Sequence, residues 1–415
     1  MGGEVKSMRV AGALVCLGIL AAGCGSTHGG PRVTADYKLY EAVSSNKSPL
    51  VSVIDTQSHA SERSLPLGVP SGDWKHLYSI VGSSLVDTDP QTGARVNTME
   101  LPGVFQLPPA TITGVPGGTS RNGQWLVVES YEGSPNSVPT ATHMLLINTA
   151  ASRITDRVNL GGYFHFDAVS DDGQRLYLIQ YLNGKEYYVR LYNIIGNTLD
   201  ENIVVDKSDG NQAMTGLRLS GVASPDGHML YSMYVRENDN PFIHALSLDG
   251  PYAFCLDLPG SGYSSGKADM QWSLAMSSNG TRLYAINGAT GIVAEVDTSN
   301  QFSPQIVRTA KIATGSSASI GASALTAVIS PDGKTLVTAG SSGIVWVDTA
   351  SLKVRMQALS DWHVWSLGSS PDGSVLYAVS DKGSIAEVSM ASGAVANRFD
   401  GARGQPMALM RVAAS

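Results

Sequence analysis

The sequence predicts an all-β protein, a β-propeller built of four-stranded blades, and three observations predict it. One tight-turn motif recurs along the chain at the spacing of a propeller blade. Each copy lies between short β-prone runs, with no helical periodicity beyond the N-terminal segment. The two ends carry complementary pieces of one such unit.

The motif is plainest in Ser330-Pro331-Asp332-Gly333, Ser370-Pro371-Asp372-Gly373 and Ser224-Pro225-Asp226-Gly227. Proline pre-sets φ for the second position of a type I turn, aspartate suits the third, and glycine accepts the positive φ that follows. Looser copies are Ser170-Asp171-Asp172-Gly173, Ser277-Ser278-Asn279-Gly280 and Ser120-Arg121-Asn122-Gly123. Three residues after the glycine stands Leu, often followed by Tyr, as in Leu176-Tyr177, Leu230-Tyr231, Leu283-Tyr284 and Leu376-Tyr377. A degenerate seventh copy puts Trp74 in the glycine slot, ahead of Leu77-Tyr78. The slots fall at 74, 123, 173, 227, 280, 333 and 373, in steps of 40 to 54 residues.

Within one unit the strands follow in order. Around Gly333, residues 325–329 form the strand before the turn, 335–339 the next, 344–349 the third and 353–357 the outermost. At the N-terminus, residues 37–43, 50–56 and 63–67 read as the second, third and outermost strands of a unit that lacks its first. Residues 407–412, Met-Ala-Leu-Met-Arg-Val, supply that strand from the other end of the chain. Sharing a blade in this way leaves no open edge between the first and last blades. Seven turn-bearing units and this composite make eight blades. Seven is the alternative, because the strand before Trp74 is short and weakly marked.

The stretches Val51-Ser52-Val53-Ile54-Asp55-Thr56, Ala294-Glu295-Val296-Asp297-Thr298 and Val345-Trp346-Val347-Asp348-Thr349, each in step with a Ser-Pro-Asp-Gly-x-x-Leu-Tyr unit, resemble the YVTN-type bacterial β-propeller repeats. The resemblance runs over about residues 37–412 and implies the architecture. It leaves function open, because propellers serve as enzymes, binders and scaffolds alike.

The repeat continues without a linker, so residues 37–415 read as one domain. The 415 residues include 45 Gly and are 15% charged, a composition suited to a turn-rich β protein. A net charge of −7 offers no basic footprint, and no nucleic-acid partner is expected.

Ahead of the repeats the chemistry changes. Lys6 and Arg9 precede an apolar run over residues 10–20, which ends in Leu20-Ala21-Ala22-Gly23-Cys24. A basic start, a short apolar core and small residues before a cleavage point mark residues 1–23 as a secretory signal, too short to span a membrane comfortably. The small residues ending on cysteine resemble a bacterial lipobox, with Ala21 where Leu is commoner. That resemblance implies a lipid on Cys24, with residues 24–36 as lipidated cysteine and flexible tether. The expected address is the extracytoplasmic side of a bacterial cell membrane, periplasmic or extracellular. Cys16 would leave with the signal, so Cys255 alone would remain and no internal disulfide could form; it reads as a small buried apolar residue.

Function is sought at the channel mouth, where the innermost strands begin. Counting back from each turn places His165, Arg218, Asp269, Trp272, His363 and Trp365 there, as candidates for binding an anionic or aromatic ligand. The competing reading packs the Trp and His side chains between blades and pairs Arg218 with an aspartate. The eight His are scattered and no pair stands at metal-ligand spacing, so no metal is assigned. Glu237-Asn238-Asp239-Asn240 lacks the spacing of a calcium loop and reads as a solvated hairpin tip. No Gly-x-Ser-x-Gly elbow marks a serine hydrolase. Asp89-Pro90-Gln91-Thr92-Gly93 is not followed by the Trp that quinone-holding propellers carry, so no cofactor is expected.

Two readings of function follow. The first is a lipid-anchored, monomeric binding module for a protein, peptide or envelope polymer, without catalysis. The second is a lactonase-like hydrolase using the channel mouth, for which Asp269, Asp361, His165 and His363 would have to converge.

Overall fold

The computed structural model describes residues 36–45, 48–134, 137–206, 210–314, 325–340 and 343–415. Cys24 and its tether lie outside them.

Eight antiparallel sheets make eight blades. We number them from the shared blade. Blade 1 orders its strands, outermost to innermost, as Ala60–Pro66, Leu50–Asp55, Tyr37–Ser44 and Gln405–Ala414. The expected strand sharing is present: Tyr37 pairs with Ala414 at one end of the ladder and Ser44 with Gln405 at the other. The innermost strands of blades 4, 5, 6, 7 and 8 are Phe164–Val169, Leu217–Ala223, Trp272–Met276, Ala327–Ile329 and Val364–Ser369. That of blade 2 is the two-residue Val69–Pro70, as weakly marked in structure as in sequence. Blade 3 has three full strands, and single bridges such as Thr119↔Leu126 stand in for its inner edge.

The recurring turn explains itself in hydrogen bonds. In all seven copies the serine hydroxyl donates to the Asp or Asn two residues on, over 2.5–2.8 Å. The same oxygen accepts from the backbone N–H five residues on, over 2.9–3.1 Å. One side chain thus satisfies a carboxylate or amide and the first amide of the next strand. The residue in the glycine slot closes the turn by donating its N–H to the serine carbonyl. Trp74 does this with φ +58°, the left-handed conformation its glycine counterparts adopt. A bulky residue rarely accepts that conformation. Here Trp74 packs against Tyr40 and under Arg411, which offsets the cost.

Apolar residues cluster across blade seams. Leu219, Tyr231 and Met233 of blade 5 pack with Trp272, Leu283 and Ala285 of blade 6. Tyr377 and Val379 of blade 8 pack with Tyr37, Leu39 and Leu409 of blade 1, so the closing seam is as apolar as the internal ones. Burial of such surface contributes roughly 25 cal/mol per Å². Each blade is therefore held by its neighbours and cannot bury its faces alone.

Between the last strand of blade 2, Arg95–Glu100, and the turn at Ser120 the chain makes an excursion rich in Pro and Gly. Its tip folds on itself through Ala110 N–H to Val115 C=O and Gly117 N–H to Pro108 C=O, at 2.8 and 2.7 Å. Ile112 N–H donates to the carbonyl of Leu219, on the inner strand of blade 5, at 2.9 Å. Val115 packs with Met407 and Ala408 on the inner strand of blade 1. Blades 1 and 5 stand opposite each other in a ring of eight, so the excursion crosses the axis and plugs the channel.

Candidate ligand cleft at the channel mouth

The plug and the inner strands of blades 4 and 5 enclose a cleft of about 610 Å³ at the mouth where those strands begin. Ile112 of the plug, His165 and Tyr181 of blade 4, and Arg218 and Tyr234 of blade 5 line it. Hairpin tips overhang it, with Lys185 from blade 4 and Glu237 to Asp239 from blade 5. A second cavity of about 450 Å³ lies on the other side of the plug. Pro109, Ala110, Phe166 and Arg218 line both, so these residues form the partition.

Side-chain position follows from strand pleating. His165 is second in its strand, and the intervening Phe166 is buried. Its ring stands in a network that sequence reading did not assemble. Nδ1 lies 2.9 Å from the Tyr131 hydroxyl and 3.4 Å from Glu129 Oε1, and Nε2 lies 2.6 Å from the Tyr163 hydroxyl. Glu129 is fully buried on blade 3, where its other oxygen accepts from the Phe166 N–H at 3.2 Å. Burial, and then the Glu129 carboxylate, push the phenols of Tyr131 and Tyr163 above the ordinary tyrosine range. Both therefore remain protonated at neutral pH.

Arg218, also second in its strand, pairs with Asp167 of blade 4 at 3.0 Å. Asp167 is buried, whereas a fifth of the Arg218 side chain is open to the cavities. Tyr187 and Tyr234 stack beside this pair with ring centroids 6.0 Å apart, and burial raises both phenols. His244, behind them, is closed off from solvent, and burial depresses its basicity.

Of the six mouth residues, His165 and Arg218 come together. The other four do not line this cleft. Trp272 is 1% exposed and packs in the seam between blades 5 and 6. Asp269 sits half-buried in the short 3-10 turn Lys267–Met270 before the inner strand of blade 6. His363 lies on blade 8, across the ring from His165, where it stands 3.5 Å from Asp381. Trp365 donates from Nε1 to the Met407 carbonyl of blade 1 at 3.3 Å. Asp361 pairs with Arg398 at 3.3 Å on the outer part of blade 8. Among the described residues no three of His, Cys, Asp and Glu gather as a metal-ligand group. Cys255 is half-exposed on the outer strand of blade 5, rather than buried as its residue type suggests.

Sequence reading missed Glu129, Tyr131 and the plug. The plug had a signal: a Pro/Gly-rich stretch of unusual length with no strand of its own, which in a compact domain marks a functional loop. Glu129 sits in an apolar strand, Val127-Val128-Glu129, where a lone carboxylate is itself a flag.

The chain is thus an eight-bladed propeller with a plugged channel and a tyrosine-lined cleft at one mouth. No protein-family model matches it, and no curated protein matches it in sequence. Solved structures match it in fold. Apo AztD from Citrobacter koseri is 13% identical, with 92% of this chain and 98% of that one covered and a TM-score of 0.55. The dihydro-heme d1 dehydrogenase NirN in complex with DHE is 13% identical, with 90% and 74% covered and a TM-score of 0.52. At such identity the likeness is one of architecture.

Proposed function

We propose that this protein is a lipid-anchored binding propeller on the extracytoplasmic face of a bacterial membrane, monomeric, taking its ligand in the cleft between blades 4 and 5. The observation that carries the binding site is the partition. Arg218 and the plug close the floor of the cleft, which leaves a concave, aromatic-walled space with convergent polar groups at the mouth. A volume of about 610 Å³ suits a small ligand or the end of a peptide or polymer.

The chemistry of the cleft favours binding over turnover. Both His165 nitrogens are engaged by protein groups, and the phenols beside them are held protonated. A nucleophile activated by a neighbouring base would need the opposite arrangement. The residues required by the hydrolase reading, Asp269, Asp361 and His363, belong to other blades, away from His165.

The anchor rests on the lipobox-like Leu20-Ala21-Ala22-Gly23-Cys24. Two acyl chains suffice for stable anchoring, at about 0.8 kcal/mol per buried CH₂. Cys24→Ala should move the protein from the membrane pellet to the soluble fraction. Pelleting of that variant after a high-salt wash would refute the anchor. For the cleft, the Cys24→Ala protein immobilised on beads should retain material from solubilised bacterial envelopes, and the further change Tyr181→Ala should abolish retention. Equal retention by both proteins would refute the cleft as the site.

A further inference from the structure

We infer that the ligand of this cleft is a neutral saccharide unit, an inference that rests on the cleft being the binding site. The first ground is charge. Each cationic side chain the cleft presents is answered by a carboxylate: Lys185 by Glu237 at 2.7 Å, Arg236 by Asp257 at 2.9 Å and Asp239 at 3.6 Å, Arg218 by Asp167 at 3.0 Å. His165 likewise faces Glu129 at 3.4 Å. An anionic ligand would have to displace these partners, and Asp167 is too buried to be left unpaired cheaply. A cationic ligand meets the same balance with the signs reversed. What the cleft offers instead is donors and acceptors already paired with one another, Arg218 and Asp167 deep in the floor and Lys185 and Glu237 at the rim. Hydroxyl groups, which both donate and accept, match such a lining.

The second ground is the aromatic wall. Tyr181 and Tyr263 are half-buried in the lining, so part of each ring is covered while its face or hydroxyl reaches the cleft. Tyr181 is held by stacking on Tyr163, centroids 5.0 Å apart, and against Tyr187 at 6.1 Å. A ring already fixed loses little entropy when a ligand stacks on it. The C–H face of a pyranose is apolar while its rim is hydroxylated. It would seat on such a ring with its rim toward Lys185, Glu237 and Arg218, and Ile112 and Leu217, 38% and 42% exposed, supply the remaining apolar contact. A planar aromatic ligand would use the ring faces but leave the ordered polar atoms unmatched.

The test is titration of the full chain carrying Cys24→Ala with three uncharged trisaccharides, maltotriose, cellotriose and fully N-acetylated chitotriose, beside glucuronic acid and glucose 1-phosphate. Binding is read by saturation-transfer NMR and calorimetry. At least one neutral trisaccharide should bind. Tyr181→Ala should weaken it at least tenfold, Tyr181→Phe should keep it within about threefold, and both charged sugars should bind worse. Preference for glucuronic acid or glucose 1-phosphate would overturn the neutral class. In parallel, envelope extract is treated with proteinase before bead capture. Retention that survives proteinase and is lost with Tyr181→Ala assigns the saccharide to an envelope glycan. Retention lost on proteinase treatment, with no trisaccharide bound, overturns the saccharide inference while leaving the cleft as a protein or peptide site. Retention indifferent to Tyr181→Ala removes the cleft itself.

Discussion

The backbone N–H of Ala402 donates to Glu41 Oε2 at 2.7 Å, joining residues 361 positions apart in the chain. Glu41 lies on the strand Tyr37–Ser44 of blade 1, and Ala402 lies in the return from blade 8 to the inner strand of that same blade. The contact therefore braces the point where the ring closes. Glu41 is fully buried, and among the described residues its second oxygen has no hydrogen-bond partner. Burial raises its carboxyl from the ordinary 4.5 to about 7, against the opposing pull of the Ala402 N–H.

A pH dependence follows. Below about 4.5 the carboxyl is protonated in the folded and unfolded chains alike. Between 4.5 and about 7 the unfolded chain releases the proton while the folded one keeps it, and stability falls by about 1.4 kcal/mol per pH unit. The loss through this group is complete above pH 7, at about 3 kcal/mol. Glu41→Gln should remove the dependence and leave the protein more stable than wild type at pH 8. Urea melts at pH 5 and pH 8 check this. A variant no more stable than wild type at pH 8 contradicts a protonated Glu41 at the seam.

The shared blade sets a second expectation. Removal of Met407 to Ser415 takes away most of the inner strand Gln405–Ala414 and, with it, Leu409 and Val412 from the closing core. The strand Tyr37–Ser44 would become an unpaired edge, which recruits other chains. Aggregation, or a fall in melting temperature of more than about 10 °C, is expected by light scattering and calorimetry. For a domain of this size that fall corresponds to several kcal/mol. A monomeric truncation with an unchanged melting temperature would mean that the ladder does not hold the ring.

The turn glycines separate backbone strain from contact. Gly333 and Gly373 both hold φ +70°. A Cβ on Gly333 would meet nothing within 4 Å, whereas one on Gly373 would stand 2.6 Å from Pro331 Cδ of the preceding turn. Gly333→Ala should therefore cost only the left-handed conformation, about 1–2 kcal/mol. Gly373→Ala should cost that plus about 1–3 kcal/mol of overpacking. Adding Pro331→Ala to Gly373→Ala should recover the second part. Equal costs for the two glycine variants would show that the proline contact carries no weight.

The mouth residues divide by burial. Trp272→Ala empties a packed seam and should cost about 3–5 kcal/mol. Arg218→Ala leaves the buried Asp167 without its partner and should cost a similar amount. Trp365→Ala and His363→Ala, at half-exposed positions, should each cost less than about 2 kcal/mol. Denaturant titration of the four single variants checks the order. A mild Arg218→Ala would mean that Asp167 finds another partner.

Read alone, the chain specifies the repeat, the turn chemistry and the shared blade, and it favours eight blades over seven; the eight sheets of the folded ring decide the number. These are local matters. The Ser330 hydroxyl reaches Asp332 and the Thr335 N–H, two and five residues away, and within the blade around it each strand pairs with the next one along the chain. The Trp74 turn was legible for the same reason, since a recurring spacing survives one unusual residue. Even the union of the termini could be read, because a blade lacking one strand at one end matched a spare strand at the other.

The site was legible only in part. His165 and Arg218 line one cleft in the folded ring, but nothing in the spacing says that blades 4 and 5 share it while His363, four blades on, faces the opposite side. Ring closure turns position along the chain into direction around an axis. Which mouth residues meet is then set by that angle and by whatever fills the axis. Here the filling is the Pro/Gly-rich excursion whose tip bonds to Leu219 and packs on Met407. Glu129, buried beside His165, acquired its role in the same way, through contacts across a blade seam between residues 36 positions apart. Strand pairing is encoded locally and repeats; cross-axis and cross-seam contacts occur once each, and only the closed ring brings those groups within bonding distance.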